Sequence, residues 1–142
     1  MNKVEPINKD RIGKLLEVRD LSVGFHAGDR EVNAVRRISF DIQKGETVAL
    51  VGESGSGKTV TALSILQLLP YPTAFHESGS ILFQGRELVG ASPKLLRSVR
   101  GNQIAMIFQE PMTSLNPLHT VEKQISETLV IAEAGPSART PP

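Results

Sequence analysis

The sequence contains no cysteine and no tryptophan, and only 4% of its 142 residues are aromatic. The absence of cysteine excludes disulfides, thiolate zinc sites and cysteine nucleophiles. No apolar run approaches the ~18 residues that a membrane-spanning helix needs, so we expect any membrane association to come through a partner. Sixteen basic residues nearly balance 15 acidic ones, and the net charge of +1 argues against a nucleic-acid-binding protein.

The most informative stretch that is present is VGESGSGKT, at residues 51–59. It fits the pattern G-x-x-x-x-G-K-[ST] with Gly52, Gly57, Lys58 and Thr59. Glycines let successive backbone N–H groups converge on an anion, and the helix that follows directs its positive dipole end to the same place. The lysine adds a positive charge for the β- and γ-phosphates, and the threonine hydroxyl is a hard oxygen ligand for Mg²⁺. The stretch therefore predicts a nucleoside triphosphate site, and a flexible glycine-serine loop without chemistry is the alternative.

Apolar patterning gives a coarse secondary structure. Strands are predicted at 15–25, 31–43, 47–52, 79–85 and 102–109, helices at 58–70, 93–100 and 121–133, and a loop at 71–78. The strand at 47–52 is almost entirely apolar, which is typical of strands buried on both faces of a sheet, and the strand at 102–109 also looks buried. We expect residues 1–14 to be a flexible lead-in, residues 15–133 one α/β domain, and the proline-rich residues 134–142 a disordered tail.

Gln109 lies at the end of the predicted strand at 102–109. The carboxyl ends of strands in α/β proteins are where ligands bind. A glutamine there can offer its amide oxygen to Mg²⁺ and its amide N–H groups to a γ-phosphate or an attacking water. A solvated glutamine at the end of a strand is the alternative, and spacing alone leaves it open.

Three segments carry a family resemblance: GESGSGKT, AVRRISFDIQKGETVALVGE and RGNQIAMIFQEPMTSLNPLHTVEKQI. They resemble the ATP-binding cassette (ABC) transporter ATPases. The stretch FQEPMTSLNP looks most like the subfamily that drives dipeptide, oligopeptide and nickel import. ALSILQLLP and NPLHTVEKQ look most like the branch linked to microcin C and oligopeptide uptake. The resemblance covers about residues 15–129.

The resemblance implies a P-loop NTPase core with an antiparallel β subdomain, ATP and Mg²⁺ as cofactors, and a set of functional residues. The implied nucleotide-binding residues are Phe25, Gly52, Glu53, Ser54, Gly55, Ser56, Gly57, Lys58 and Thr59. Phe25 is implied to stack on adenine, although a core phenylalanine is the local alternative. Thr59 and Gln109 are implied Mg²⁺ ligands, and Gln109 is implied to act as the family's catalytic Q-loop glutamine.

The resemblance also implies partners and a location. Residues 110–117 would contact transmembrane permease subunits at the cytoplasmic face of a bacterial inner membrane, with a second ATPase subunit alongside. A periplasmic peptide-binding protein would take part indirectly, and no nucleic acid is expected.

Two motifs of the family are absent from the 142 residues. There is no LSGGQ-like signature and no apolar strand that ends in Asp-Glu. We interpret the chain as the N-terminal part of such an ATPase, ending within its helical subdomain, with its own ATP turnover left open. The alternative is a non-catalytic chain, or decoy, that binds ATP or the membrane partner without turnover. A standalone P-loop kinase or GTPase is disfavoured because no Asn-Lys-x-Asp pattern is present and because the chain resembles the transporter ATPases.

Overall fold

The computed structural model describes residues 13–109 and 115–134 of the chain. Within these ranges the elements are β1 (Lys14–Ala27), β2 (Arg30–Gln43), α1 (Lys58–Ile65), β3 (Ala74–Phe83), β4 (Arg86–Glu87), α2 (Pro93–Val99) and α3 (Val121–Ala134). The chain divides into two compact units, Met1–Ala91 and Ser92–Pro142. Nearly all of the predicted lead-in and tail falls outside the described residues. None of the helices within those residues is both long and apolar enough to cross a membrane.

The first unit is built on an antiparallel sheet with the strand order β2-β1-β3-β4. β1 lies between two long strands, so Val18 is opposite Phe40 on β2 and Ile81 on β3. The side chains of Leu21, Val23 and Ile81 are fully buried in the core. The antiparallel part of the predicted fold is therefore confirmed, and it rests on the apolar alternation that β1 shows in the sequence.

The structure extends one strand beyond its prediction. β3 begins at Ala74, so the loop predicted at 71–78 is wrong from Ala74 onward. β1 continues to Ala27, so its backbone N–H and C=O groups can pair with a neighbouring strand up to that end. Ala74 pairs with Phe25 there. Backbone groups that have a neighbouring strand within reach are paired rather than left to a loop.

The two apolar strands predicted at 47–52 and 102–109 are not formed. Both segments are irregular apart from one isolated parallel bridge between Arg100 and Ile104. Val51 is 88% exposed and Ile107 is 91% exposed. A strand requires a neighbour to accept its hydrogen bonds, and the strand ladders among the described residues involve only β1 to β4. A sheet that contains these two predicted strands is accordingly not present among the described residues.

The predicted helices are confirmed, and the first is shorter than expected. Its end is set by Gln67, whose φ of 53° is left-handed. The amide of Gln67 donates to the Ser64 carbonyl (3.0 Å) and that of Leu68 to the Leu63 carbonyl (2.9 Å). These two bonds form a Schellman motif, so α1 ends before Pro70 rather than because of it. Ser92 caps α2, with Pro93 at its first position.

Candidate functional site

The glycine-rich loop (residues 52–59) includes the first two residues of α1 and lies against β2. Gly57 is the N-cap residue of α1 and has a φ of 90°. A Cβ atom at Gly57 would lie 2.5 Å from the carbonyl oxygen of Ala34 and 3.2 Å from Cγ2 of Val35. Only glycine accepts both this dihedral angle and this close approach. The final glycine of the motif therefore lets α1 start directly against the second strand.

The N-terminal end of α1 is open to an anion. Its cap residue has no side chain that could accept a hydrogen bond, and its first turn contains no acidic residue. Thr61 is the first residue of the helix to close onto its cap, with its amide (2.8 Å) and its hydroxyl (2.9 Å) both donating to the Gly57 carbonyl. The amides of the preceding turn have no acceptor within the helix, and the helix dipole places partial positive charge beside them. An oxyanion fits this set of donors.

Lys58 folds back into the loop. Its Nζ donates to the carbonyl oxygens of Gly52 (2.7 Å) and Glu53 (2.6 Å) and to the hydroxyl of Ser56 (3.2 Å). The Ser56 amide in turn donates to the Glu53 carbonyl (3.2 Å), which closes the turn that contains Ser54. The ammonium group is thus already positioned at the centre of the loop by neutral oxygens. A phosphate oxygen would be a stronger partner for it than these carbonyls.

A cleft of about 460 Å³ lies between the loop and β2. Its lining consists of Asn33, Ala34, Val35, Arg36, Ile38, Leu50, Val51, Gly52, Ser56, Lys58 and Thr61. Lys58 and Arg36 are cationic, and this lining contains no carboxylate. Cavities of about 300–1,000 Å³ are typical of small-molecule sites. The β2 residues of this lining were not predicted, because only the tertiary approach of β2 to the loop brings them there.

Thr59 and Phe25 occupy different surroundings. Thr59 is exposed in the first turn of α1, and its contact with Mg²⁺ stays a prediction. Phe25 lies on β1, is half-buried, and pairs with Val32 on one side and Ala74 on the other. Phe25 is not among the residues that line the cleft. Its predicted contact with adenine stays a prediction.

Gln109 belongs to the second unit of the chain. It is exposed and follows the irregular segment at 105–108 rather than a strand. Residues 110–114 of the predicted permease-contacting segment lie outside the described residues, and residues 115–117 form part of the loop before α3. The proposed roles of Gln109 and of this segment stay predictions.

Comparison with known proteins identifies the class to which this site belongs. The family model described as ABC transporter matches residues 35–139, and the chain belongs to that family. ABC ATPases bind ATP, in agreement with the loop geometry.

The relatives point to a subfamily. The chain is 63% identical over 120 residues to the Peptidoglycan transport ATP-binding protein YejF of Agrobacterium fabrum, a match that covers 84% of this chain and 22% of the relative. It is 52% identical over 119 residues to the Oligopeptide transport ATP-binding protein OppD of Bacillus subtilis, covering 84% and 33%. It is 50% identical over 117 residues to the Dipeptide transport ATP-binding protein DppD of the same organism, covering 82% and 35%. The predicted resemblance to ATPases of peptide importers is confirmed, and the chain spans a fifth to about a third of the length of these curated relatives.

Proposed function

We propose that this chain forms the ATP-binding part of a subunit that powers a bacterial ABC importer of peptides. The observation that carries the proposal is the glycine-rich loop, in which an uncapped helix N-terminus and the Lys58 ammonium meet at one point. The names of the oligopeptide and dipeptide relatives support the substrate class. We place the functional domain at residues 15–133.

The residues have separate tasks in this proposal. The first-turn amides of α1 donate to the phosphates, and Lys58 exchanges its carbonyl partners for β- and γ-phosphate oxygens. When bound, Mg²⁺ neutralises charge that develops on the phosphates, and Thr59 and Gln109 are the residues that would hold it. Phe25 would hold the adenine ring by stacking, and the exposed loop residues Glu53 and Ser54 would complete the wall around the phosphates.

The proposed partners follow from the family. Residues 110–117 would contact the permease subunits at the cytoplasmic face of the inner membrane, and a second ATPase subunit would close over the bound nucleotide. A periplasmic peptide-binding protein would deliver the peptide without touching this chain. Permease binding that persists after deletion of residues 110–117 would contradict the assigned contact.

A second candidate function is a chain that binds ATP without hydrolysing it. The observation that favours it is the absence from the 142 residues of an LSGGQ-like signature and of an apolar strand ending in Asp-Glu. Phosphoryl transfer depends on groups that position the attacking water and stabilise developing charge. We therefore expect the 142-residue chain by itself to bind ATP with little or no turnover.

ATP binding and turnover by the 142-residue chain, measured with Mg²⁺ beside Lys58→Ala, test both candidates. Hydrogen bonds to a charged group contribute about 1.5–3 kcal/mol, so we expect Lys58→Ala to weaken ATP binding by at least about tenfold. Lys44→Ala is the matched control, because Lys44 lies in the exposed turn after β2 and does not line the cleft. Turnover that Lys58→Ala abolishes would reject the non-catalytic candidate. Folded protein that binds no ATP would overturn the proposal as a whole.

A further inference from the structure

The cleft beside the glycine-rich loop has a second cation that the motif does not contain. Arg36 lines the same cavity as Lys58 and is exposed. Within the described residues its side chain makes no ion pair or hydrogen bond. Its neighbour Arg37 differs, because the guanidinium of Arg37 lies 3.4 Å from a carboxylate oxygen of Asp20.

Arg36 and Arg37 together form a β-bulge in β2. Val35 pairs with Val23 and Ile38 pairs with Leu21, so Arg36 and Arg37 together face the single residue Ser22. Arg37 takes a left-handed φ of 46°, and its amide donates to the Ser22 hydroxyl (3.0 Å). Bulges re-aim side chains and are frequent beside functional sites. The two arginines of this bulge have different surroundings. Arg37 forms an ion pair with Asp20 on β1, whereas Arg36 lines the cleft.

The charge of the cleft indicates the chemistry of its ligand. Two cations without a carboxylate among the described lining residues favour an anion, and the uncapped end of α1 favours it further. Guanidinium presents a planar fork of donors that matches phosphate oxygens, and an arginine without an acidic partner keeps those donors available.

We propose that Arg36 is a specificity-determining residue that binds the phosphate chain of the nucleotide from the β2 side of the cleft, opposite the glycine-rich loop. The inference rests on the proposed function, since it assigns a further contact in the same site. Arg36 selects for phosphorylated ligands by charge and by its donor geometry, and it contacts neither the ribose nor the base.

The test compares Arg36→Ala and Arg36→Gln with Arg37→Ala in the 142-residue chain. The control removes the same charge one residue further along, outside the lining of the cleft. ATP affinity is measured by titration calorimetry, and inorganic tripolyphosphate is titrated as a ligand without a nucleoside. Circular dichroism shows whether each variant is folded. Arg36→Gln keeps much of the side chain's length, so it serves as the test variant if Arg36→Ala does not fold.

We expect both Arg36 variants to lower the affinity for ATP and for tripolyphosphate by about tenfold, which corresponds to about 1.4 kcal/mol. We expect Arg37→Ala to change either affinity by less than about twofold. Weaker binding of ATP without weaker binding of tripolyphosphate would overturn the proposal, because Arg36 would then contact the nucleoside. An equal loss in Arg37→Ala would also overturn it, since the effect would be one of net charge. Unchanged binding in the Arg36 variants beside weakened binding in Lys58→Ala would refute this inference and leave the proposed function standing. A wild-type chain that binds no ATP would refute both.

Discussion

Replacement of Gly57 by alanine tests whether the start of α1 depends on a glycine for both conformation and space. The φ of 90° is left-handed, and a Cβ atom would meet the Ala34 carbonyl oxygen at 2.5 Å. A left-handed backbone costs a non-glycine residue about 1–2 kcal/mol, and overpacking costs about 1–3 kcal/mol more, together about 2–5 kcal/mol. Domains of this kind have unfolding free energies of about 5–15 kcal/mol, so the loss would be a large fraction of the total.

Gly55→Ala is the matched control for this experiment. Gly55 also has a left-handed φ, 79°, but a Cβ atom there would meet nothing within 4 Å. Gly55→Ala should therefore lower the unfolding free energy only by the cost of the left-handed backbone, about 1–2 kcal/mol. Urea unfolding of the wild type and both variants measures the difference in unfolding free energy. ATP titration shows whether displacement of α1 from β2 by the added Cβ atom of Gly57→Ala also weakens nucleotide binding. Equal destabilisation by the two substitutions would refute the steric argument.

Two further predictions concern the rest of the chain. Ser92→Ala removes the hydroxyl that accepts the Leu95 amide at 3.3 Å and should lower the unfolding free energy by about 1 kcal/mol in urea titrations, whereas Ser92→Asp should retain most of it. Burial lowers the pKa of His76 below its ordinary value of 6.5, and the nearby negative charge of Glu87 opposes this shift only in part. The folded chain then binds fewer protons than the unfolded one, so its unfolding free energy should fall as the pH drops from about 7.5 to about 5.5. His76→Gln should show a shallower fall, and identical pH slopes in the two proteins would contradict the assignment.

Helices and strands were predictable from the sequence where the interactions that set them involve residues close together in the chain. The cap of α2 was predictable, because Ser92 and Pro93 act on amides within the next turn. The strand at 47–52 was predicted wrongly, because Val48 and Leu50 have the composition of a buried strand but composition does not supply a partner. The early end of α1 was missed, because Gln67 adopts a left-handed conformation that glutamine rarely takes.

The site divides in the same way. The loop from Gly52 to Thr59 was recognised as a candidate phosphate site from the sequence alone, because the motif is contiguous. The contribution of β2 was not predicted, because Arg36 reaches the cleft through a bulge and through the approach of Ala34 to Gly57. The sequence by itself determined the glycine-rich loop, the family and the first two strands, since these depend on contiguous motifs and short-range apolar spacing. The tertiary structure decided which strand backs the loop and which arginine faces it, because register and bulges are set by pairing between residues that are distant in the chain.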